Sequence, residues 1–214
     1  MNRIGFFISR VISRLVLLSL GFSAIALADG MERAAQTAAM LCAACHGETG
    51  NSALPANPVL AGQLAETLHT QLNDFQSDGE KPAARKNEVM NSVSAALSNE
   101  DRRALSIYFS RQIPATLPIT ADKKILAGSR LLWLRGDFGK GIPACTGCHG
   151  PAGMGVPAQN PRLAGQHSEY TETQLKNYRS EERTNDRNEV MRMIAQNLSD
   201  GQIKALSDYI AALH

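Results

Sequence analysis

Cys42-Ala43-Ala44-Cys45-His46-Gly47 returns 103 positions later as Cys145-Thr146-Gly147-Cys148-His149-Gly150, and these two short stretches decide how the rest of the chain is read. The displacement extends beyond them. Asn57-Pro58-Val59-Leu60-Ala61-Gly62-Gln63 recurs at the same offset as Asn160-Pro161-Arg162-Leu163-Ala164-Gly165-Gln166, and Thr70-Gln71-Leu72 recurs as Thr173-Gln174-Leu175. Asn87-Glu88-Val89-Met90 recurs as Asn188-Glu189-Val190-Met191 at an offset of 101, so the second copy lacks two residues of a loop. Matched blocks in one order with one small deletion define a tandem duplication.

The copies meet near residues 112–120, where Pro114 and Pro118 interrupt the pattern. The expected organisation is an N-terminal segment 1–28, a first domain 29–113, a linker 114–120 and a second domain 121–214. Each copy is small for a self-sufficient hydrophobic core and poor in aromatics, a shortfall that a large buried prosthetic group would relieve.

The expected fold class is all-α, two tandem domains each wrapped around one covalently bound group. Ser98 with Asp101 and Ser199 with Gln202 make matching capping boxes. Behind them, Leu105, Tyr108, Phe109 and Gln112 in one copy, and Ile203, Leu206, Ile210 and Leu213 in the other, recur at helical spacing. Middle helices are expected over Leu64 to Phe75 and His167 to Tyr178, and leading helices over Met31 to Leu41 and Lys123 to Leu134. Neither copy offers a convincing strand.

The first 28 residues read as a secretory signal: Arg3, Arg10 and Arg14 precede an apolar run from Leu15 to Leu27 that ends in Ala26-Leu27-Ala28. The run is shorter than the roughly 20 residues a spanning helix needs, so cleavage before Asp29 is expected, with a periplasmic mature protein. The mature chain then carries 19 basic and 20 acidic residues. Its first half is −3 and its second +2, either a dipole that biases docking or ordinary surface variation. A nearly neutral chain without a basic tail gives no reason to invoke nucleic acid.

Cys-x-x-Cys-His has a mechanical meaning. Two thiols one helical turn apart can add to the two vinyl groups of a haem, and the adjacent imidazole then reaches the iron. A shared zinc site would contradict two intact repeats, and a thioredoxin-like dithiol belongs to an alternating strand and helix pattern that is absent here. Covalent attachment outside the cytoplasm agrees with the signal. All four cysteines, Cys42, Cys45, Cys145 and Cys148, are then consumed as thioether anchors of two haem c groups.

With His46 and His149 on one side of each iron, the sixth position decides between electron transfer and catalysis. Met90 and Met191 are the preferred axial ligands because they occupy equivalent repeat positions, each seven residues before the Leu-Ser of the last helix, on a loop able to carry the sulfur to the iron. Core packing is the ordinary fate of a lone Met, and duplication reverses that preference. Met193 is the rival to Met191, though its counterpart is Ser92; Met154 lies too close to His149, and Met40 reads as packing. His69, His167 and His214 have no repeat partner and are expected at the surface, with bis-His ligation the alternative. Pro58 and Pro161 fit two roles: simple turns, or fixed backbone aiming a carbonyl at the Nδ1 proton of His46 or His149.

These motifs together resemble the dihaem cytochrome c4 family: Cys-x-x-Cys-His-Gly, Pro-x-Leu-Ala-Gly-Gln, and a Met before a Leu-Ser-capped helix, all present twice. The resemblance spans essentially the whole mature chain. It implies two class I cytochrome c folds, thioethers at Cys42, Cys45, Cys145 and Cys148, proximal His46 and His149, and distal Met90 and Met191. It also implies a soluble or peripherally membrane-held periplasmic protein that takes electrons from a redox donor and passes them toward a terminal oxidase, an electron carrier rather than an enzyme. The rivals are a dihaem electron-accepting subunit of a larger dehydrogenase, such as a sulfide-oxidising flavoprotein, and a dihaem peroxidase with one displaceable ligand.

Overall fold

The structure, a computed structural model, describes residues 30–116, 123–158 and 160–213. The expected signal segment with its cleavage point before Asp29, the end of the expected linker and His214 lie outside them. Every described element is helical apart from two isolated antiparallel bridges, Asp137 with Ile142 and Val156 with Asn160, as expected of an all-α chain. No described helix is long and apolar enough to cross a membrane.

The first copy opens with α1, helical over 30–46 with one π turn at Ala38–Cys42. It continues through α2 (Ala65–Asp74), α3 (Glu88–Ala95) and α4 (Asn99–Ser110). The second copy runs α5 (Lys123–Arg135), α6 (Thr146–His149), α7 (Ser168–Arg179), α8 (Val190–Gln196) and α9 (Asp200–Ala211). Both expected capping boxes form. Ser98 accepts from the Asp101 N–H and Ser199 from the Gln202 N–H, and each partner side chain returns a bond to the cap N–H.

In the first copy α4 packs on α2, and in the second α9 packs on α5 and α7. The buried apolar clusters are small: Ala38, Leu68, Leu97, Leu105 and Phe109 in one, and Trp133, Ile142, Leu198, Ile203, Leu206 and Ile210 in the other. That is the shortfall the sequence pointed to. The last helices also bury Ser106 and Ser207, each small enough for a close neighbour and satisfied by its own i−4 carbonyl.

The copies differ between the leading helix and the first cysteine. In the first, α1 runs straight into Cys42. In the second, a loop and 3-10 turn at residues 136–145 intervene, closed by paired bonds between Asp137 and Ile142. Trp133 fills the space beneath, with no exposed surface and its Nε1–H donating to the Pro151 carbonyl at 3.1 Å.

The two domains meet through polar groups at repeat-equivalent positions. Gln166 binds the N–H and C=O of Val59 at 2.9 and 3.0 Å, and Gln63 binds those of Arg162 at 2.9 and 2.8 Å. Each contact is its partner displaced by 103 residues, a two-fold relation inside one chain. Further along, Arg85 stacks 4.6 Å over Phe75 and Arg183 lies 4.5 Å over Tyr178, again equivalent rings. Both guanidinium groups donate to Gln71 Oε1 and to Gln174 Oε1 at 2.6–3.0 Å. Arg85 also donates to the buried Tyr170 hydroxyl at 2.8 Å. Burial raises the Tyr170 pKa, but the two arginines outweigh it and draw it below its usual value.

Truncating Trp133 removes the largest fully buried side chain of the second core, so Trp133→Ala should destabilise that domain by about 3–5 kcal/mol. Urea unfolding followed separately in each domain checks this, with the first domain expected to hold its midpoint.

Candidate covalent-haem sites

Each site begins at a short helical turn. Cys42 and Cys45 flank the start of the last turn of α1, and Cys145 and Cys148 do so at α6, so both thiols of a pair fall on one face next to a buried His. One cysteine of each pair is half-buried and the other exposed. Burial, aided by the Cys45 thiol, pushes Cys42 up to about 11, and burial pushes Cys145 up to about 11 as well. Protonated thiols of this kind are the opposite of the low-pKa thiolates of a disulfide oxidoreductase. Among the described residues no three His, Cys, Asp or Glu side chains converge as a zinc cluster would require.

His46 and His149 are both 7% exposed, and each points Nδ1 at a proline carbonyl: His46 at Pro58 O, 3.0 Å, and His149 at Pro161 O, 2.9 Å. Of the two roles open to these prolines, the structure selects the aimed carbonyl. A carbonyl only accepts, so Nδ1 carries the proton and Nε2 keeps its lone pair. Burial lowers both imidazole pKa values, with the proline carbonyls opposing, which keeps the rings neutral. A neutral imidazole with a bare Nε2 is the form that binds a metal.

A glycine closes the loop that brings each proline into place. The Gly50 carbonyl accepts from the N–H of Leu60 and Ala61 at 2.7 and 3.1 Å, and the Gly153 carbonyl accepts from Leu163 and Ala164 at 2.8 and 3.0 Å. Both sit at positive φ, +76° and +69°. A Cβ on Gly50 would lie 2.7 Å from the Phe109 ring and 3.0 Å from the Ala61 nitrogen.

Met90 and Met191 do not lie on loops as expected. Each stands in the first turn of a short helix, α3 or α8, and both are half-buried. The rival Met193 is 53% exposed, Met154 47% and Met40 75%. The helix start was legible in Asn87, whose side chain accepts from the Met90 N–H at 2.9 Å. The second copy starts differently despite the same four residues. Asn188 and Glu189 take positive φ, and Asp186 instead accepts from the Arg192 N–H at 3.0 Å while pairing with its guanidinium at 2.8 Å. Asn91 and Ser94 tie α3 to the end of α2, through the carbonyls of Phe75 and Leu72.

His167 corrects the expectation of a surface position. It is 8% exposed, and its Nε2–H donates across the domain boundary to the Ser52 carbonyl at 2.9 Å. His69 is half-buried and bonded to Asn99 at 3.2 Å. Gln63 and Gln166, which recur in the Leu-Ala-Gly-Gln block, also border the sites, each bonded to the residue after the proline of the other domain.

The donor set fits a covalent haem in each domain: two thiols a turn apart, a neutral imidazole with a free nitrogen, and a thioether on a separate helix. A fold and site of this kind define a c-type cytochrome, and the cytochrome c family model matches twice, at residues 31–111 and 138–214. The chain is 42% identical to cytochrome c4 of Azotobacter vinelandii, covering 93% of this chain and 97% of that one. The crystal structure of reduced recombinant cytochrome c4 from Pseudomonas stutzeri superposes with a TM-score of 0.79 at 38% identity, over 86% of this chain and 98% of that one. A thiosulfate dehydrogenase electron acceptor of Stutzerimonas stutzeri is 39% identical over 83% of this chain and 81% of its own. The chain belongs to the dihaem cytochrome c4 family. Domains of this family bind haem c covalently and transfer electrons.

Gly50→Ala should cost the first domain about 1–3 kcal/mol, from positive φ and the Phe109 contact together. A lowered denaturation midpoint confined to that domain is the measurement.

Proposed function

We propose that the mature chain, beginning at Asp29, is a periplasmic carrier with one haem c in each of two domains, 29–113 and 121–214, joined by the linker 114–120. Cys42 and Cys45 anchor the first haem, with His46 and Met90 as axial ligands. Cys145 and Cys148 anchor the second, with His149 and Met191. The observation that carries this reading is the duplicated His: in both domains the Nδ1 proton is fixed by a proline carbonyl and Nε2 is left for iron. Bound haem supplies a metal that changes oxidation state by one electron without gaining or losing atoms. The protein's part is to bury and orient the imidazole, to set a thioether on a capped helix, and to hold both domains in one geometry. Ligands fixed in this way favour outer-sphere transfer over substrate binding at iron.

The electrons pass between a redox donor and an acceptor, in this reading a terminal oxidase, with contact to the membrane no more than peripheral. A second reading makes the chain the electron acceptor of a dehydrogenase, and the thiosulfate dehydrogenase electron acceptor of S. stutzeri favours it. Stoichiometric copurification with a dehydrogenase would select the second. Fast oxidation of the reduced protein by membranes containing an oxidase would select the first.

The ligand assignment is tested by the weak far-red sulfur-to-iron charge-transfer band of the oxidised protein. Met90→Ala or Met191→Ala should each remove about half of it, while Met193→Leu leaves it intact. An unchanged band in both alanine variants overturns the assignment. Intact-mass analysis of periplasmic protein should give a chain starting at Asp29 plus two haem masses; a retained leader would contradict the cleavage.

A further inference from the structure

The carbonyl that orients each histidine belongs to a peptide unit whose other end is held by the opposite domain. Pro58 C=O and Val59 N–H share one planar peptide. The carbonyl accepts from His46 Nδ1 at 3.0 Å, and the N–H donates to Gln166 Oε1 at 2.9 Å. In the second domain, Pro161 C=O accepts from His149 at 2.9 Å while Arg162 N–H donates to Gln63 Oε1 at 2.9 Å. Both glutamine amides are fixed in orientation. Each Nε2 donates to the carbonyl one residue on, Val59 at 3.0 Å or Arg162 at 2.8 Å, and each Oε1 also accepts from the backbone N–H that follows its own residue. Gln166 and Val59 are 9% and 8% exposed, so water does little to screen the first chain of bonds.

Peptide resonance links the two ends of the unit. Donating the N–H to a glutamine oxygen favours the charge-separated form and enriches the carbonyl oxygen. A richer oxygen binds the Nδ1 proton more strongly, and chained bonds of this kind reinforce one another in a low dielectric. The imidazole then has more anionic character and donates more strongly through Nε2, which favours the oxidised metal.

We propose that Gln166 and Gln63 are crossed positioning residues, each setting the proximal histidine, and through it the reduction potential, of the haem in the other domain. The proposal rests on His46 and His149 being iron ligands. It gives the two domains an electronic connection through bonds as well as through space, and it makes domain docking a condition for the native potentials.

The test is a spectroelectrochemical titration of the two-haem protein with potentials assigned to each domain by NMR. Gln166→Leu should raise the potential of the first-domain haem, leave the second within error, and move the His46 Nδ1 proton resonance of the reduced protein upfield. Gln63→Leu should do the mirror image to the second haem and His149. Gln166→Glu keeps an oxygen of greater acceptor strength for Val59 N–H but gives up the N–H donated to the Val59 carbonyl and adds a charge that lowers the potential by itself. Its diagnostic is therefore the His46 Nδ1 proton resonance, which should move downfield as the Pro58 carbonyl is enriched. If the two glutamines merely hold the domains together, leucine and glutamate variants move that resonance in the same direction, or both haems shift alike; either result overturns the proposal. Should the leucine variants not fold, the glutamate variant and its Gln63→Glu mirror carry the test by the Nδ1 resonance of the histidine across the boundary, an unmoved or upfield resonance overturning the proposal. A native protein without imidazole ligation overturns the functional reading and this proposal with it. Intact ligation with unmoved potentials overturns the proposal alone.

Discussion

The bond from His46 Nδ1 to the Pro58 carbonyl, with its copy at His149 and Pro161, is the constraint around which each domain is arranged. It demands that a histidine at the end of a helical turn and a proline twelve residues later be held at hydrogen-bond distance. The intervening chain does this with a positive-φ glycine whose carbonyl gathers two N–H groups from the segment after the proline. A net worth of about 1 kcal/mol per bond is modest, but the consequence is chemical: it fixes which ring nitrogen is free. Core, caps and domain interface serve to keep that loop in register.

The domain boundary is polar where an apolar seam would have been simpler. Arg85, Arg183, four glutamines (Gln63, Gln71, Gln166 and Gln174), Tyr170 and Asp74 occupy it, and burial raises the Asp74 pKa against the lowering effects of Asn185 and the arginines. Polar contacts of this kind add little net stability but tolerate only one docking geometry, because any slip strands buried donors without acceptors. Two short chains would struggle to pair through such a surface. Tethering the copies makes docking intramolecular and removes most of the entropy cost of association, so a small, specific, polar interface suffices.

Much of this was legible in the residues because duplication acts as an internal control. The Cys-x-x-Cys-His motifs, the capping boxes at Ser98 and Ser199, and the two prolines all recur; the capping boxes form as expected, and of the two roles open to the prolines the aimed carbonyl is the one adopted in both copies. The fate of His167 was not legible, since its burial depends on Ser52 in the other domain and no local pattern records a contact between copies. The helices bearing Met90 and Met191 leave little periodic signature because they are short, 8 and 7 residues, and are held by side chains: Asn91 and Ser94 reach back to the end of α2, and Arg192 pairs with Asp186 just ahead of its helix.

Repetition of sequence did not guarantee repetition of backbone. Asn-Glu-Val-Met occurs twice, yet Asn87 caps its helix while Asn188 sits at positive φ and leaves the capping to Asp186. The two-residue deletion lies in the approach to α8, and that approach turns through the left-handed residues Asn188 and Glu189. Asp186 then binds the N–H of Arg192 and holds its guanidinium, so the second methionine helix is anchored by an ion pair where the first is anchored by amides. The histidine clamps of the two domains are copies, with the same proline carbonyl, the same glycine and the same glutamine from across the boundary. The methionine-bearing helices are not. Differences between the two domains enter at the helices bearing Met90 and Met191, at the loop and 3-10 turn that precede Cys145 but have no counterpart before Cys42, and at Val59 in one clamp standing where Arg162 stands in the other.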